Sequence, residues 1–229
     1  MSTVEYPDSD GQPIAENTLQ FKWIVLIKEG LETLFHRNPN VFVAGDLLWY
    51  PVKGQPKIRQ APDVLVVFGR PKGKRGFYLQ WEEEGIAPQV VFEVLSPGNR
   101  FNQMLHKFRF YEWYGVEEYY IYDPDSGDLE GWQRQDKGLE EIAQMNGYVS
   151  RRLGIRFEPG EGPNNLTIIG SDGERFATHQ ELKERAQAAQ ERAQATQERA
   201  QAEQERAERL AARLRELGIE SEWNPHQSS

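Results

Sequence analysis

The chain has 229 residues, 28% of them charged, and its formal net charge of −9 at pH 7 argues at first against a nucleic-acid partner. It contains no cysteine, which excludes disulfide bonds, thiolate zinc sites and a cysteine nucleophile. No apolar stretch approaches the roughly 20 residues of a membrane span. Because residues 1–20 are polar and carry no signal-peptide pattern, we expect a cytoplasmic protein.

Residues 21–179 have the composition of a globular domain, and we treat residues 1–20 as an N-terminal extension. Apolar side chains recur at helical spacing after Phe21, which predicts a first helix that ends near His36. Residues 41–50 follow as a predicted strand, and proline and glycine residues close it.

The next two predicted strands each carry one carboxylate. Asp63 precedes the apolar run Val64–Phe68, and Glu93 interrupts the β-branched run of residues 89–95. A buried carboxylate is costly unless it is paired or binds a metal, so two of them in neighbouring strands favour a divalent cation. Mg²⁺ prefers oxygen ligands and keeps several waters, so one or two carboxylates can suffice.

A turn at residues 96–99 and a second helix over about Phe101–Tyr114 follow the Glu93 strand. Lys107 and Tyr111 are four residues apart, so they share a face of this helix. Phosphodiester cleavage needs a cation or a base beside the attacking water, and Lys107 is the candidate. Spacing alone gives equal weight to an alternative, in which Asp63 caps a turn, Glu93 pairs with an arginine and Lys107 lies at the surface.

The remaining globular segments are β-like. Residues 118–122, 166–169 and 174–178 are predicted strands, and the overall order of helices and strands indicates a mixed α/β or α+β core. Residues 53–75 contain seven bases and one acid, a local net charge of +6. Since phosphate contacts need only a local patch, this segment is a candidate for holding a nucleic-acid backbone, although a solvated loop is the other interpretation.

The C-terminal part repeats with a period of seven residues from Lys183 onward and consists of strong helix formers. This pattern predicts a helical tail over residues 180–218, followed by a disordered C-terminus over residues 219–229. Alanine, threonine and glutamate dominate its heptad seam, which is weak beside a leucine seam. A solvated single helix and a loose coiled coil therefore both stay open.

Four blocks follow one another along the chain: residues 62–64 (PDV), residues 92–97 (FEVLSP), Lys107 with Tyr111, and residues 115–120 (GVEEYY) with Asp123 and Pro124. In this order and spacing they resemble the Uma-two family of restriction endonucleases within the PD-(D/E)xK nuclease superfamily. The resemblance covers roughly residues 12–180 and implies a restriction endonuclease-like core, with a central mixed β-sheet flanked by helices and the acids at one edge.

The resemblance implies a Mg²⁺-dependent DNA endonuclease, with Mn²⁺ as a possible substitute. Asp63 and Glu93 would bind the metal with the carbonyl group of Val94, and Lys107 would complete the catalytic set. Leu95 stands two residues after Glu93, where the superfamily has a lysine, and the family pattern has an apolar residue there too. The lysine role would therefore pass to Lys107 on the following helix.

Further acids are weaker candidates. The superfamily's optional first-helix glutamate corresponds to Glu16, Glu29 or Glu32, and Asp46 lies near the start of a strand.

As partners we expect duplex DNA, a second copy of the chain in a homodimer, and no membrane. The alternative function is that of a catalytically inactive nuclease-fold protein that acts as a binding or assembly module through its helical tail, and cleavage of RNA stays open as well.

Overall fold

The computed structural model describes residues 6–7, 17–98 and 101–217. The chain divides into two compact units, one up to Thr178 and the other from His179. Most of the predicted N-terminal extension, the predicted disordered C-terminus, Glu16 and the end of the turn at residues 96–99 lie outside the described residues.

The first helix, α1, spans Thr18–Leu34 and begins three residues before the predicted domain boundary. Its N-terminus is capped by Asn17, whose side chain accepts a hydrogen bond from the backbone N–H of Gln20 at 2.8 Å. Trp23, Ile27 and Leu31 lie on one face of the helix and are buried. Burial of this apolar stripe attaches α1 to one face of the main sheet.

The elements after α1 are β1 (Val41–Gly45), β2 (Trp49–Tyr50), β3 (Val64–Phe68), β4 (Tyr78–Leu79), β5 (Val90–Val94), α2 (Phe101–Tyr114), β6 (Glu118–Tyr122), β7 (Leu129–Gln135), β8 (Gly138–Glu141), β9 (Arg156–Pro159), β10 (Leu166–Ile169) and α3 (His179–Glu216). Six of the described strands form the main sheet, in the order β1-β3-β5-β6-β7-β8, with two small two-stranded sheets beside it. Within the main sheet β5 and β6 are parallel and the other neighbouring pairs are antiparallel, so the predicted mixed sheet flanked by helices is confirmed.

The central strands are buried on both faces, which explains their continuous apolar runs. Val64, Val66 and Phe92 pack against α1, whereas Leu65 and Val91 pack in a second cluster that includes residues of α2. The parallel pair β5 and β6 is connected through α2, which has the bounds predicted from the sequence. The residues after Glu93 therefore return across the face of the sheet that carries the Glu93 side chain.

Two predicted strands differ from the structure. The strand predicted over residues 41–50 is broken at Asp46, whose φ of 47° is left-handed, and β2 leaves the main sheet to pair with β4. Of the strand predicted over residues 174–178, only an isolated bridge between Ile169 and Arg175 forms. Strands β7, β8 and β9 were not predicted, because their polar residues mask the alternating pattern.

Helix α3 contains 38 residues and none of them is buried. Glutamine side chains donate hydrogen bonds to glutamates one turn later at about 3 Å, as between Gln187 and Glu191 or Gln194 and Glu198. Such pairs support a helix without a partner by a few tenths of a kcal/mol each, roughly 0.2–0.5. Within the described part of the chain, α3 included, no helix combines the length and apolar character needed to cross a membrane.

Candidate active site

The pairing of β3 with β5 brings the two predicted carboxylates together. Val64 lies opposite Phe92 in this antiparallel pair, so Asp63 and Glu93 are the next opposed residues and their side chains point to the same face. Asp63 Oδ2 accepts a hydrogen bond from the backbone N–H of Val94 at 2.7 Å. The negative charge of Glu93 also acts on the carboxyl group of Asp63, so the two groups are close neighbours.

Helix α2 supplies both other partners of Glu93, whose side chain is only 2% exposed. Lys107 Nζ donates a hydrogen bond to Glu93 Oε2 at 2.7 Å, and the hydroxyl group of Tyr111 donates to Oε1 at 2.5 Å. The predicted common face of Lys107 and Tyr111 is therefore confirmed. The alternative interpretation is wrong for these residues, because Glu93 pairs with a lysine and Lys107 is mostly buried.

Burial raises the pKa of Asp63 well above its usual range, and the negative charge of Glu93 raises it further. The opposing influences on this pKa are the cation of Lys107 and the N–H group of Val94. Burial by itself lowers the pKa of Lys107, but attraction by Glu93 and Asp63 outweighs it, so the pKa is raised overall. Lys107 is therefore a protonated cation near neutral pH and has no free electron pair to accept a proton.

The phenol of Tyr111 stays neutral for a related reason. Burial raises its pKa well above the usual range, and the charge of Glu93 adds to that effect. A neutral Tyr111 keeps its proton and donates it in a hydrogen bond to Glu93. Each oxygen of the Glu93 carboxyl group thus has its own donor on α2, which holds the group in one orientation.

The backbone of Val94 faces the same edge as Asp63. Its N–H group donates to Asp63, and its carbonyl oxygen accepts a hydrogen bond from Nε2 of Gln20 at 2.8 Å. Gln20 lies in the first turn of α1, and its side chain is buried although it is polar. The sequence analysis did not identify Gln20. Its signal was an amide three residues after the capping Asn17, on the otherwise apolar face of an amphipathic helix.

The glutamates considered for the first helix do not occupy this place. Glu29 is exposed, and Glu32 forms an exposed ion pair with Lys28 at 2.8 Å. Asp46 is near the site, since its backbone N–H donates to the Asp63 carbonyl at 3.2 Å and its charge acts on Lys107. Among the described residues, no group of three or more histidine, cysteine, aspartate or glutamate side chains is arranged to hold a metal ion.

Leu95 lines an apolar groove together with Phe108 and Ile121. The position that a lysine occupies in the superfamily pattern is therefore part of a hydrophobic surface. The ammonium group beside Glu93 comes from Lys107, on the following helix. This arrangement is the one expected if the lysine has moved from the strand to the helix.

The predicted basic approach over residues 53–75 needs correction. Arg70 and Arg75 form ion pairs with Glu83, at 2.8 and 2.6 Å, and Lys72 donates to the carbonyl group of Phe35. The loop of residues 69–76 follows the opposite end of β3, roughly 20 Å of extended chain from Asp63. Glu83 and Glu84 lie outside the segment whose charge was counted, and they pair with two of the four bases of this loop.

Three comparisons relate this chain to known proteins. The model of the family Uma2, described as "Putative restriction endonuclease", matches residues 4–157. A search of curated proteins gives no match. Among solved structures, a nuclease described as putative and as belonging to DUF820, from Anabaena variabilis ATCC 29413, is 14% identical, with a TM-score of 0.41, over 61% of this chain and 72% of that one. The matched family region covers more than half of the chain and includes the whole site, so the protein belongs to the Uma2 family.

Proposed function

We propose that this protein is a metal-dependent DNA endonuclease that hydrolyses phosphodiester bonds at the cluster of Asp63, Glu93 and Lys107. Membership of the Uma2 family supports a nuclease. The observation that carries the proposal is the opposed placement of Asp63 and Glu93 on neighbouring strands, with the buried Glu93 carboxylate paired to Lys107 at 2.7 Å. Burial and the charge of Glu93 disfavour the ionised form of Asp63, and a divalent cation between the two carboxyl groups would favour it instead.

The donors present suit Mg²⁺ or Mn²⁺. Carboxylate oxygens of Asp63 and Glu93 and the carbonyl oxygen of Val94 are hard ligands, which these ions prefer over nitrogen or sulfur. The Val94 carbonyl already accepts one hydrogen bond from Gln20 and keeps a second lone pair. When bound, the metal would supply Lewis-acid stabilisation of the phosphate and a water of lowered pKa.

The side chains of this chain have separate roles in the proposal. Lys107, as a cation, stabilises the negative charge that develops on the phosphate and orients the attacking water through its N–H donors. It does not act as the general base, because it is protonated. Tyr111 and the N–H of Val94 hold Glu93 and Asp63 in position through the bonds described above.

Cleavage of supercoiled plasmid DNA with Mg²⁺ or Mn²⁺ tests the proposal directly. We expect the wild-type protein to nick or linearise the plasmid, and the double variant Asp63→Ala, Glu93→Ala to lose this activity. The variant Glu29→Ala, Glu32→Ala removes two exposed acids and is the matched control, with activity retained. Equal inactivity of the wild type and the double variant across metals and DNA substrates would refute the function.

Gln20→Ala is expected to weaken metal binding by roughly 10-fold or more, the usual cost of losing a residue that orients a metal ligand. The reason is that the Gln20 amide holds the Val94 carbonyl through a buried hydrogen bond of 2.8 Å. Calorimetric titration with Mn²⁺ in the absence of DNA measures the effect. Glu29→Ala on the same helix serves as the control. Equal Mn²⁺ affinities of the two variants would show that Gln20 does not support metal binding.

The helical tail favours a second role, in assembly. Helix α3 exposes Leu182, Leu210 and Leu214, and no residue of the helix is buried. The homodimer, the coiled coil and assembly through this helix stay predictions. Sedimentation of the full chain and of the variant Leu210→Lys, Leu214→Lys tests them: dimers of the wild type that dissociate in the variant are expected, and a wild-type monomer would exclude the homodimer.

A further inference from the structure

Helix α2 borders a second groove, on a different face from the one that carries Lys107 and Tyr111. Its volume is about 480 Å³. One wall is the outer face of α2, and the other is the segment just before Asp63. The lining residues are Lys57, Ile58, Arg59, His106, Arg109, Phe110, Trp113 and Tyr114.

The charged residues that the structure describes in the lining of this groove are all basic. Lys57, Arg59 and Arg109 are cations, His106 is a fourth nitrogen donor, and no acid is among the described lining residues. Within residues 17–98 and 101–217, neither Lys57 nor Arg109 forms an ion pair. For a chain with a net charge of −9 this is an unusual concentration of uncompensated positive charge, and it is complementary to phosphates.

The groove also offers an exposed aromatic surface. Trp113 is 81% exposed, whereas Phe110 is 8% exposed and packs with Tyr114 at a ring separation of 4.7 Å. Trp49 supports both of these rings with edge-on contacts at 5.3 and 6.2 Å. An exposed indole in a groove that is also lined by cations and packed aromatic rings offers a face on which an unpaired base can stack while its phosphates are held.

The groove that Leu95 lines also borders α2, but its charged residues are acidic. Phe101, which is 80% exposed, lies there among apolar residues together with Asp123, Asp128 and Glu130, and the described residues of its lining include no cation. These carboxylates would repel a phosphate backbone. Of these two faces of the same helix, only the basic one is complementary to it.

The basic groove is connected to the candidate active site through both of its walls. His106 is the neighbour of Lys107 on α2, and Arg59 precedes Asp63 by four residues. The segment before Asp63 is held by two backbone hydrogen bonds between Gln60 and Trp49, at 2.8 and 3.2 Å. A DNA strand with a phosphate beside Lys107 would therefore reach the groove within a few nucleotides.

We propose that this groove binds a single-stranded segment of the DNA substrate, with phosphates on Lys57, Arg59 and Arg109 and one base stacked on Trp113. A single strand is specified because the bases of a duplex are stacked on each other and do not present their faces to an indole. The proposal rests on the proposed nuclease function and extends it. The substrate is DNA with an unpaired segment next to the cleaved bond.

Binding of fluorescently labelled oligonucleotides to the full chain tests this, measured by anisotropy in EDTA so that no cleavage occurs. We expect a 20-nucleotide single strand to bind more tightly than the blunt duplex of the same sequence. Trp113→Ala should weaken single-strand binding by roughly 5- to 150-fold, the measured range for one stacked base. Phe101→Ala, on the same helix and equally exposed, is the matched control and should bind as the wild type does.

The salt dependence of binding tests the phosphate contacts separately. Arg109→Ala should reduce the slope of log affinity against log salt by about 0.7, the value for one phosphate contact on a single strand. Arg37→Ala, at an exposed position just after α1, should leave the slope unchanged. Unfolding temperatures equal to that of the wild type would show that both variants are folded.

Equal affinities of Trp113→Ala and Phe101→Ala would overturn the proposal, and so would tighter binding of the blunt duplex or of a single-stranded RNA.

Cleavage is then measured on a duplex with a single-stranded overhang. Groove-dependent binding of single strands without cleavage would refute the nuclease function and leave the groove as a DNA-binding site. Cleavage that is unchanged by Trp113→Ala, on overhang and blunt substrates alike, would refute the groove and leave the nuclease.

Discussion

Replacing Asp63 by asparagine is expected to abolish metal-dependent cleavage and to stabilise the metal-free protein at the same time. The loss of activity should exceed roughly 1,000-fold, because a metal ligand contributes several kcal/mol to the transition state. The gain in stability follows from the raised pKa of Asp63, which shows that the folded protein disfavours the ionised carboxylate. Asparagine keeps the shape of the side chain and removes the charge.

The pH dependence of this gain has a definite sign. Folding raises the pKa of Asp63 above its unfolded value, so the folded state binds the proton more tightly and stability falls as the pH rises through this range. At pH 8 Asp63→Asn should therefore be more stable than the wild type, by on the order of 1 kcal/mol or about 2–4 °C in unfolding temperature. Below about pH 4 both states of the wild type are protonated and the difference should vanish.

Thermal unfolding in EDTA at pH 8 and pH 4, together with the plasmid assay, measures both effects. Asp125→Asn, at an exposed turn position, is the control for removal of one negative charge from the surface. It should change neither activity nor stability by an amount comparable to Asp63→Asn. A destabilised Asp63→Asn protein at pH 8 would contradict the argument, since it would show that the wild-type carboxylate is satisfied without a metal.

The second large effect is expected for Lys107→Met. Methionine fills a similar volume but leaves the carboxylate of Glu93, which is 2% exposed, without its cation at 2.7 Å. Breaking a buried ion pair by removing one partner typically costs about 3–5 kcal/mol. Cleavage should fall by roughly 100- to 1,000-fold as well, because the positive charge that stabilises the phosphate is lost.

Lys28→Met is the matched control for this substitution. Lys28 pairs with Glu32 at 2.8 Å, nearly the same separation, but both side chains are substantially exposed, at 34% and 46%. Such an i,i+4 surface pair is worth about 0.3–0.5 kcal/mol. The free energies of unfolding are measured by urea titration in EDTA. Equal changes for Lys28→Met and Lys107→Met would show that the buried pair contributes no more to stability than the exposed one.

A double variant separates the structural role of Lys107 from its catalytic role. Glu93→Gln combined with Lys107→Met removes the charge that the single variant leaves unpaired, so part of the lost stability should return. Activity should stay absent, because both groups of the site are gone. Recovery of cleavage together with stability would mean that Lys107 acts only by supporting the fold.

Local patterns in the sequence predicted the elements that carry the site. The apolar runs of β3 and β5, the strand β6 and the bounds of α2 depend on side-chain periodicity over a few residues, which is visible without any partner. The break after β1 was not predicted, because Asp46 adopts a left-handed φ that its neighbours do not indicate. The strands β7 and β8 were not predicted, because their polar residues obscure the alternating pattern and find their partners only in the folded protein.

The sequence by itself determined which chemical groups are present: two acids at apolar strands, a lysine with a tyrosine one turn away, and a heptad-repeat tail. Only the tertiary structure decided what surrounds them, because contacts between distant residues arise from the packing of whole elements. Gln20 contacts Val94 across 74 residues, and Glu83 and Glu84 form ion pairs with two arginines that the sequence had suggested for phosphate binding. The protonation of Asp63 and Lys107 depends on the same packing, since burial and neighbouring charge set a pKa, and neither is a property of local sequence.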